Sequence, residues 1–176
     1  FYIGAMVFQF PVGWLSDRMD RRILIVATSA IGFIAAVFAI FGENIFIILL
    51  GSAFFIGGMS NPLYSLLIAY TNDFLEPDDM ASASGGLLFL NGLGAISGPL
   101  FTGYLMTEIG PTGFFVILAA LLGLLTVYGF YRMTQRGISD VDTSSYATVL
   151  PTTSVVAVEI AQELAIEAAE ELDESA

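Results

Sequence analysis

Four apolar stretches of the chain contain no Asp, Glu, Lys or Arg, and each is long enough to cross a bilayer. A hydrocarbon core of roughly 30 Å requires about 20 residues of α-helix. Unbroken apolarity favours helices, because the strands of a membrane barrel alternate in polarity. The sequence therefore predicts an all-α polytopic membrane protein. Its predicted spans are residues 23–42, 45–72, 80–107 and 112–131, with a partial span at 1–15.

The composition argues against a soluble enzyme. Mean hydropathy is +0.82 and only 12% of residues are charged, which is too apolar for a water-facing surface. Cysteine and histidine are both absent, so thiolate nucleophiles, disulfides, zinc sites and Ser-His-Asp triads are excluded. An intramembrane aspartyl protease would need aspartates inside the spans, where there are none. We expect no enzyme, no cofactor, no metal and no nucleic-acid partner.

Charge separates the chain into two parts. Residues 1–136 carry five arginines and eight acids, a net charge of −3, whereas residues 137–176 carry nine acids and no base, a net charge of −9. The Ser- and Thr-rich segment 137–154 is typical of a flexible linker. The acidic tail at 155–176 has a helical pattern, and two alternatives stay open for it. It is either solvated and mostly disordered, or docked on a partner or on the protein's own cytoplasmic face.

The arginines predict the orientation of the spans. Arg18, Arg21 and Arg22 follow the partial span, and Arg132 and Arg136 follow the last one. Four helices lie between these two groups, so both groups are expected on one side of the membrane. The positive-inside rule makes that side cytoplasmic, and it places the C-terminus there too.

One loop carries a specific motif. It reads Gly13-Trp14-Leu15-Ser16-Asp17-Arg18-Met19-Asp20-Arg21-Arg22 and lies in a short turn between two spans. It closely resembles the signature loop of the major facilitator superfamily, Gly-x-Leu-Ser/Ala-Asp-Arg-x-Gly-Arg-Arg/Lys. Of its eight defined positions, only Asp20 departs, where glycine is usual.

The residue types in this loop have a physical interpretation of their own. Gly13 permits a turn or a close approach of helices. Asp17 is suited to capping a neighbouring helix N-terminus, where the dipole favours negative charge. The three loop arginines can pair with Asp17, with Asp20 and with lipid phosphate. The resemblance implies a latch that ties the two halves of a transporter together in one state of its cycle. The alternative is a charged loop that only fixes topology.

The resemblance also implies which part of the twelve-helix fold this chain supplies. The arginine typical of helix 4 is absent from residues 45–72, and a long acidic tail follows the last span. We therefore expect the carboxy-terminal half: the end of helix 8, then helices 9–12, with the N-terminal half missing. By the same resemblance helices 9 and 12 lie outermost, helix 10 lines the cavity and helix 11 meets the other half. The segment Pro62-Leu63-Tyr64-Ser65 is similar to the bacterial YcaD-type subfamily. This resemblance implies that the protein lies in the bacterial inner (plasma) membrane.

Polar residues in the second full span are substrate-cavity candidates. The segment from Gly57 to Pro62 is expected to break the regularity of this helix, because proline removes a backbone donor. Interrupted helices in transporters often mark the substrate site. Asn61, Tyr64 and Ser65 would then offer hydrogen bonds near mid-membrane. The alternative is a packing kink whose polar groups satisfy each other. Asn91 in the next span is a further candidate.

The third full span is rich in glycine. Gly94 and Gly98 are four residues apart, which is typical of a close-packing face. With Pro99 and Gly103 they lie near the position of a glycine-proline motif that antiporters of the superfamily carry. A rigid structural role and a gating hinge both stay open for these residues.

The spans contain no ionisable residue of the kind that proton-coupled transporters use. Asp73, Glu76, Asp78 and Asp79 belong to a helix start beside Pro77 and are not coupling candidates. A coupling proton would need a carboxylate from elsewhere, and a uniporter is the alternative. We expect a secondary transporter of small organic solutes that works by alternating access. A non-transporting membrane scaffold or receptor with the same fold, using its acidic tail for interaction, is the rival hypothesis.

Deletion of residues 137–176 separates these two hypotheses. A transporter is expected to retain solute uptake in proteoliposomes without its tail, because the predicted spans carry the solute path. A scaffold is expected to lose its partner in a pull-down with the truncated protein. Loss of uptake in a truncated protein that still inserts would count against the transporter hypothesis.

Overall fold

The computed structural model describes residues 1–75 and 77–135, and for residues 77–81 it describes the helical backbone alone. Within these ranges every regular element is an α-helix, as the apolar stretches predict. The five helices are α1 Tyr2–Ser16, α2 Arg21–Phe41, α3 Phe46–Asn72, α4 Pro77–Ile109 and α5 Gly113–Gln135. The predictions for Glu76, Arg136, the linker at 137–154 and the tail at 155–176 lie outside the described residues.

Four of these helices contain a segment long and apolar enough to cross a membrane. The segments are Arg21–Phe41, Phe46–Asn72, Ser82–Ile109 and Gly113–Gln135. They coincide with the four uncharged stretches of the sequence to within a few residues at each end. Large apolar side chains remain exposed along all of them, which suits a hydrocarbon solvent.

Short turns connect α1 to α2, α2 to α3 and α4 to α5. Asp20 is the N-cap of α2, and its Oδ1 accepts a hydrogen bond of 2.9 Å from the backbone N–H of Arg22. Gly42 ends α2 and donates its N–H to the carbonyl of Phe38. Gly110 follows α4 with a φ of +79°, a left-handed conformation that favours glycine after a helix, and Pro111 comes next.

The helix α2 lies between α3 and α5, and α1 packs on α3. One cluster of buried residues joins α1, α2, α3 and α5. Its members are Val12, Leu24, Ile25, Leu63, Leu66 and Leu122. A second cluster joins α2, α3 and α5 further along. Half of the apolar segment of α2 is therefore buried inside the chain. Its other face is exposed in the described residues, with Ile34 and Phe38 on its surface. The expectation that this helix lies outermost stays a prediction.

Glycines bring α1 and α3 into direct backbone contact. A Cβ added to Gly4 would lie less than 2 Å from the carbonyl oxygen of Phe54, and one added to Gly58 would meet the ring of Phe8. The rings of Phe8, Phe54 and Phe55 pack edge-on or tilted at centroid distances below 6 Å. This close approach is the packing that small residues permit between membrane helices.

The span with Pro62 is not interrupted. α3 continues as one helix from Phe46 to Asn72, and Pro62 is fully buried within it. The sequence predicts a break in regularity here, and the structure corrects that prediction. A proline can be kept inside a membrane helix because neighbouring helices and polar side chains satisfy the backbone groups it frees.

The long helix α4 packs mainly on α5, and its apolar segment is exposed in the described part of the chain. A Cβ added at Gly94, Gly98 or Gly103 would meet no other described atom within 4 Å. Pro99 lies inside this helix without ending it. The glycine-rich face of α4 is therefore exposed within this part of the fold.

The close approach of α1 and α3 predicts a sharp difference between two glycines. We expect Gly4→Ala to destabilise the protein by about 1–3 kcal/mol, because the new methyl group collides with backbone that cannot move aside. The matched control is Gly51→Ala in α3, where the added methyl group meets nothing within 4 Å. Thermal unfolding of the detergent-solubilised protein measures both. If the two variants had the same unfolding temperature, the close contact between α1 and α3 at Gly4 would be contradicted.

Candidate functional site

The signature loop joins α1 to α2 at one end of the bundle. The helix α1 ends at Ser16, which is fully buried, and α2 begins at Arg21. Gly13 is buried in the last turn of α1, whereas Asp17 and Arg18 are exposed. The carboxylate that caps α2 is that of Asp20, the residue that departs from the family pattern. In this loop a charged residue therefore does the capping at the position where glycine is usual.

A buried ion pair links this loop to another helix. The Nη1 of Arg21 lies 2.7 Å from Oδ1 of Asp73, the residue that ends α3. The two side chains are 1% and 5% exposed, so water does not screen the pair. The partners are 52 positions apart in the sequence, and the contact therefore holds α2 and α3 in register at this end.

The burial of this ion pair determines its effect on the stability of the protein. Removing two charges from water costs several kcal/mol per ion, and only good geometry and further hydrogen bonds compensate for that cost. Replacing one partner would leave an uncompensated charge inside the protein. The pair is therefore worth more as a constraint on structure than as a net source of stability.

The other two loop arginines lie on aromatic rings. The guanidinium of Arg18 is 4.1 Å from the centroid of the Trp14 ring, and its Nη1 donates to the Trp14 carbonyl at 3.2 Å. The guanidinium of Arg22 is 5.9 Å from the rings of both Tyr70 and Phe74. Cation–π contacts of this kind hold a guanidinium in place at the edge of a protein.

Sequence reasoning missed Asp73 as a partner. It expected the loop arginines to pair with Asp17 and Asp20, and it treated Asp73 only as part of a helix start. The structure pairs Arg21 with Asp73. The available signal was that Asp73 is the first charged residue after the uncharged stretch at 45–72, at the end that returns to the arginine side.

Arginines that are far apart in sequence meet at this end. Arg22, from the start of α2, and Arg132, from the last turn of α5, line one cavity. The prediction that the two arginine groups share a side is therefore confirmed for these two residues. We call this end, with Arg18, Arg21, Arg22 and Arg132, the arginine end of the bundle.

The substrate-cavity candidates of α3 differ in their surroundings. The side-chain amide of Asn61 donates to the carbonyl of Gly57 in its own helix at 3.2 Å, which partly satisfies the polar groups beside the proline. Ser65 is almost fully buried. Tyr64 is half-buried and packs against Ile68, which Leu87 of α4 also contacts. Tyr64 is therefore the candidate that lies where α3 meets α4.

The candidate on α4 lies close to the same junction. Asn91 is half-buried and one helical turn beyond Leu87, on the same face of α4. Tyr64 and Asn91 thus come from facing helices near one contact. Gly94 and Gly98 follow on α4, and a Cβ added at either would meet no other described atom within 4 Å.

Comparison with known proteins identifies the family of this fold. The family model described as Major Facilitator Superfamily matches residues 1–157. The chain belongs to the major facilitator superfamily. This match confirms the family that the signature loop indicated, and with the four membrane-length helices it makes the chain part of an integral, multi-pass membrane protein.

Two relatives in the superfamily carry transporter names. A protein named "Uncharacterized MFS-type transporter YfkF" from Bacillus subtilis is 35% identical over 129 residues, which cover 69% of this chain and 31% of the relative. A protein named "Benzoate transport protein" from Acinetobacter baylyi is 30% identical over 132 residues, or 72% of this chain and 28% of the relative. The chain thus spans about a third of the length of either. No solved structure matches it. The YcaD-type subfamily stays a prediction.

The buried pair predicts a large stability effect for this superfamily member. We expect Asp73→Asn to lower the free energy of unfolding by about 3 kcal/mol, because it weakens the compensation of a buried guanidinium. The double variant Arg21→Met with Asp73→Leu is expected to lose less than Asp73→Asn alone, since it removes both charges. Unfolding in detergent micelles, followed by tryptophan fluorescence, measures these differences.

The matched control for this prediction is Glu108→Gln. It removes the same charge from an exposed position at the opposite end of the bundle. We expect it to change stability by less than about 0.5 kcal/mol. If Asp73→Asn and Glu108→Gln gave equal losses, the pair would not be a structural constraint.

Proposed function

We propose that the full-length protein is a secondary transporter of small organic solutes that works by alternating access. In this proposal the chain supplies the carboxy-terminal half: the end of helix 8 as α1, and helices 9–12 as α2–α5. The glycine-rich face of α4 then packs against the amino-terminal half. The solute binds between the two halves.

The observation that carries the proposal is the buried contact between Arg21 and Asp73. A loop that only fixed topology would keep its arginines hydrated, where the positive-inside effect needs nothing more. Instead one arginine is buried and ties the loop to the end of α3. This attachment lets the loop move with its half of the protein, and Asp17 is an exposed residue of that loop that a second half could contact.

The relatives support a transport function for the whole protein. Both carry transporter names, and one is named for benzoate. For a small organic solute, Tyr64 and Asn91 are the hydrogen-bonding groups we propose at the cavity side of α3 and α4, with Asn61 and Ser65 supporting the geometry of α3. Benzoate is a suitable first probe because an aromatic acid would stack on Tyr64.

The described spans also constrain coupling. No Asp, Glu, Lys or Arg lies inside the four uncharged stretches. A carboxylate that carried a coupling proton, or a cation that paired with an organic anion, would therefore come from the other half. Without such a residue the protein would be a uniporter. We propose the plasma membrane as its location, with the arginine end and the C-terminus on the cytoplasmic side.

Uptake by a loop variant tests the proposal. We expect Asp17→Ala to reduce the rate of benzoate uptake into proteoliposomes at least severalfold while membrane insertion stays intact, because the latch to the other half is lost. The matched control is Met19→Ala, an exposed position of the same loop that the family pattern leaves undefined. Wild-type kinetics in Asp17→Ala would reject the latch. If the wild-type protein moved no solute of a broad panel of small organic compounds, the transport function would be rejected.

A further inference from the structure

A hydrogen bond between two turns lies at the end of the bundle opposite the arginine end. The hydroxyl of Thr112 donates to Oε2 of Glu43, and the two residues are 69 positions apart in the sequence. Glu43 belongs to the turn between α2, which ends at Phe41, and α3, which begins at Phe46. Thr112 belongs to the turn between α4 and α5. The contact therefore joins the α2–α3 hairpin to the α4–α5 hairpin.

Thr112 lies where α5 begins. Its carbonyl accepts hydrogen bonds from the backbone N–H groups of Phe115 at 3.0 Å and Val116 at 3.1 Å, as the carbonyl of an N-cap residue does. The positive end of a helix dipole favours a nearby anion. The first turn of α5 contains no acidic residue of its own. Glu43 supplies that charge from another part of the chain, and a hydrogen bond to a charged group is stronger than one between neutral groups.

The start of α5 holds the end of α4 through direct backbone contact. A Cβ added to Gly113, the first residue of α5, would lie 2.8 Å from the carbonyl carbon of Leu105 and 2.9 Å from the backbone nitrogen of Met106. A displacement of either backbone at this point therefore displaces the other. The position of α4 at this end of the bundle depends on where α5 begins.

The helix α4 depends on α5 for most of its contacts with the described chain. None of its apolar segment is buried among the described residues, whereas half of the apolar segment of α2 is buried. The helix α5 in turn packs along α2, where the hydroxyl of Thr126 donates to Oγ of Ser29 at 3.0 Å. The route from α4 to α2 therefore runs through α5 and, at the end of the bundle, through the contact between Thr112 and Glu43.

We propose that Glu43 holds the α4–α5 hairpin against the α2–α3 hairpin and so acts as a positioning residue for transport. This inference rests on the proposed function, in which α4 packs against the other half of the transporter and moves with its own half. Arg21 and Asp73 hold α2 and α3 together at the arginine end. The contact of Glu43 with Thr112 adds α4 and α5 to the same body at the opposite end.

The alternative is a surface contact that has no effect on the position of the helices. Glu43 is exposed, and a single hydrogen bond contributes modestly to stability. Two observations favour the positioning role. The contact joins two hairpins and does not join neighbours within one of them. The close backbone contact at Gly113 also carries any displacement of α5 on to α4.

The distance between spin labels in the full-length protein tests the contact. This chain contains no cysteine, and any cysteine in the rest of the protein is first replaced by serine. Labels on the exposed positions Asn44→Cys and Ile109→Cys report the distance between the two hairpins by double electron–electron resonance in proteoliposomes. We expect Glu43→Gln and Thr112→Val each to broaden the distance distribution, and the double variant to broaden it no further, because both remove the same contact. Thr112→Ser keeps the hydroxyl and is expected to retain the narrow distribution.

The matched control is Glu108→Gln, which removes the same charge from an exposed position in the last turn of α4, at the same end of the bundle. We expect it to leave the distance distribution unchanged. A narrow distribution in Glu43→Gln would overturn the proposal. Equal broadening in Glu43→Gln and Glu108→Gln would also overturn it, because the effect would then come from the charge of this end and not from the contact with Thr112.

Uptake of benzoate into proteoliposomes tests the consequence for transport. We expect Glu43→Gln to lower the turnover rate about threefold, which corresponds to one weak hydrogen bond, with a smaller change in KM. The reason for this difference is that Tyr64 and Asn91 lie several helical turns from the contact. Glu108→Gln is expected to keep both values of the wild-type protein.

The two measurements separate this proposal from the proposed function. An unchanged turnover rate in Glu43→Gln, in a protein that does move solute, would overturn the positioning role alone. If the wild-type protein moved no solute of the panel, the transport function would be rejected. The spin-label distances would still decide whether Glu43 holds the two hairpins together, because they do not depend on a solute.

Discussion

The buried pair of Arg21 and Asp73 is the constraint on which the arginine end depends. Burying the guanidinium of Arg21, which is 1% exposed, would cost several kcal/mol without an anion beside it. The pair therefore dictates where α3 ends relative to α2, and it fixes the loop that joins α1 to α2. Asp20 acts on the same loop through the backbone by capping α2. Together these two contacts hold the loop between α1 and α2 in place.

The two faces of the bundle differ in how closely they pack against the rest of the described chain. On one side α1, α2, α3 and α5 pack through leucine and alanine clusters and through glycine contacts such as Gly4 against Phe54. On the other side α4 presents a glycine-rich face that the rest of the described chain leaves exposed. In a transporter of two halves this division is useful, because a rigid half can rock against its partner only if its own helices stay together. The chain's membership of the superfamily and the fixed loop between α1 and α2 both agree with a half that moves as one body.

Several features were predictable from the sequence because they depend on local chemistry. The four spans follow from uncharged stretches of bilayer length, and the family follows from the loop around Asp17. Prediction from the sequence failed where contacts between distant residues determine the structure. Asp73 was missed because its partner lies 52 positions away, and a break at Pro62 was expected although α3 continues through it. The cavity role of Asn61 stays a prediction, and its amide donates to the carbonyl of Gly57 within α3.

The sequence by itself determined that this chain belongs in a membrane, where its spans lie to within a few residues, and which loop carries the family motif. These properties depend on hydropathy and on residue order over a few helical turns, which each segment contains in full. Only the tertiary structure decided which arginine is buried, which acid compensates it, and that Arg22 and Arg132 face one cavity. Those facts depend on how helices pack. Packing is a property of surfaces that meet across long stretches of chain, and no single segment encodes it.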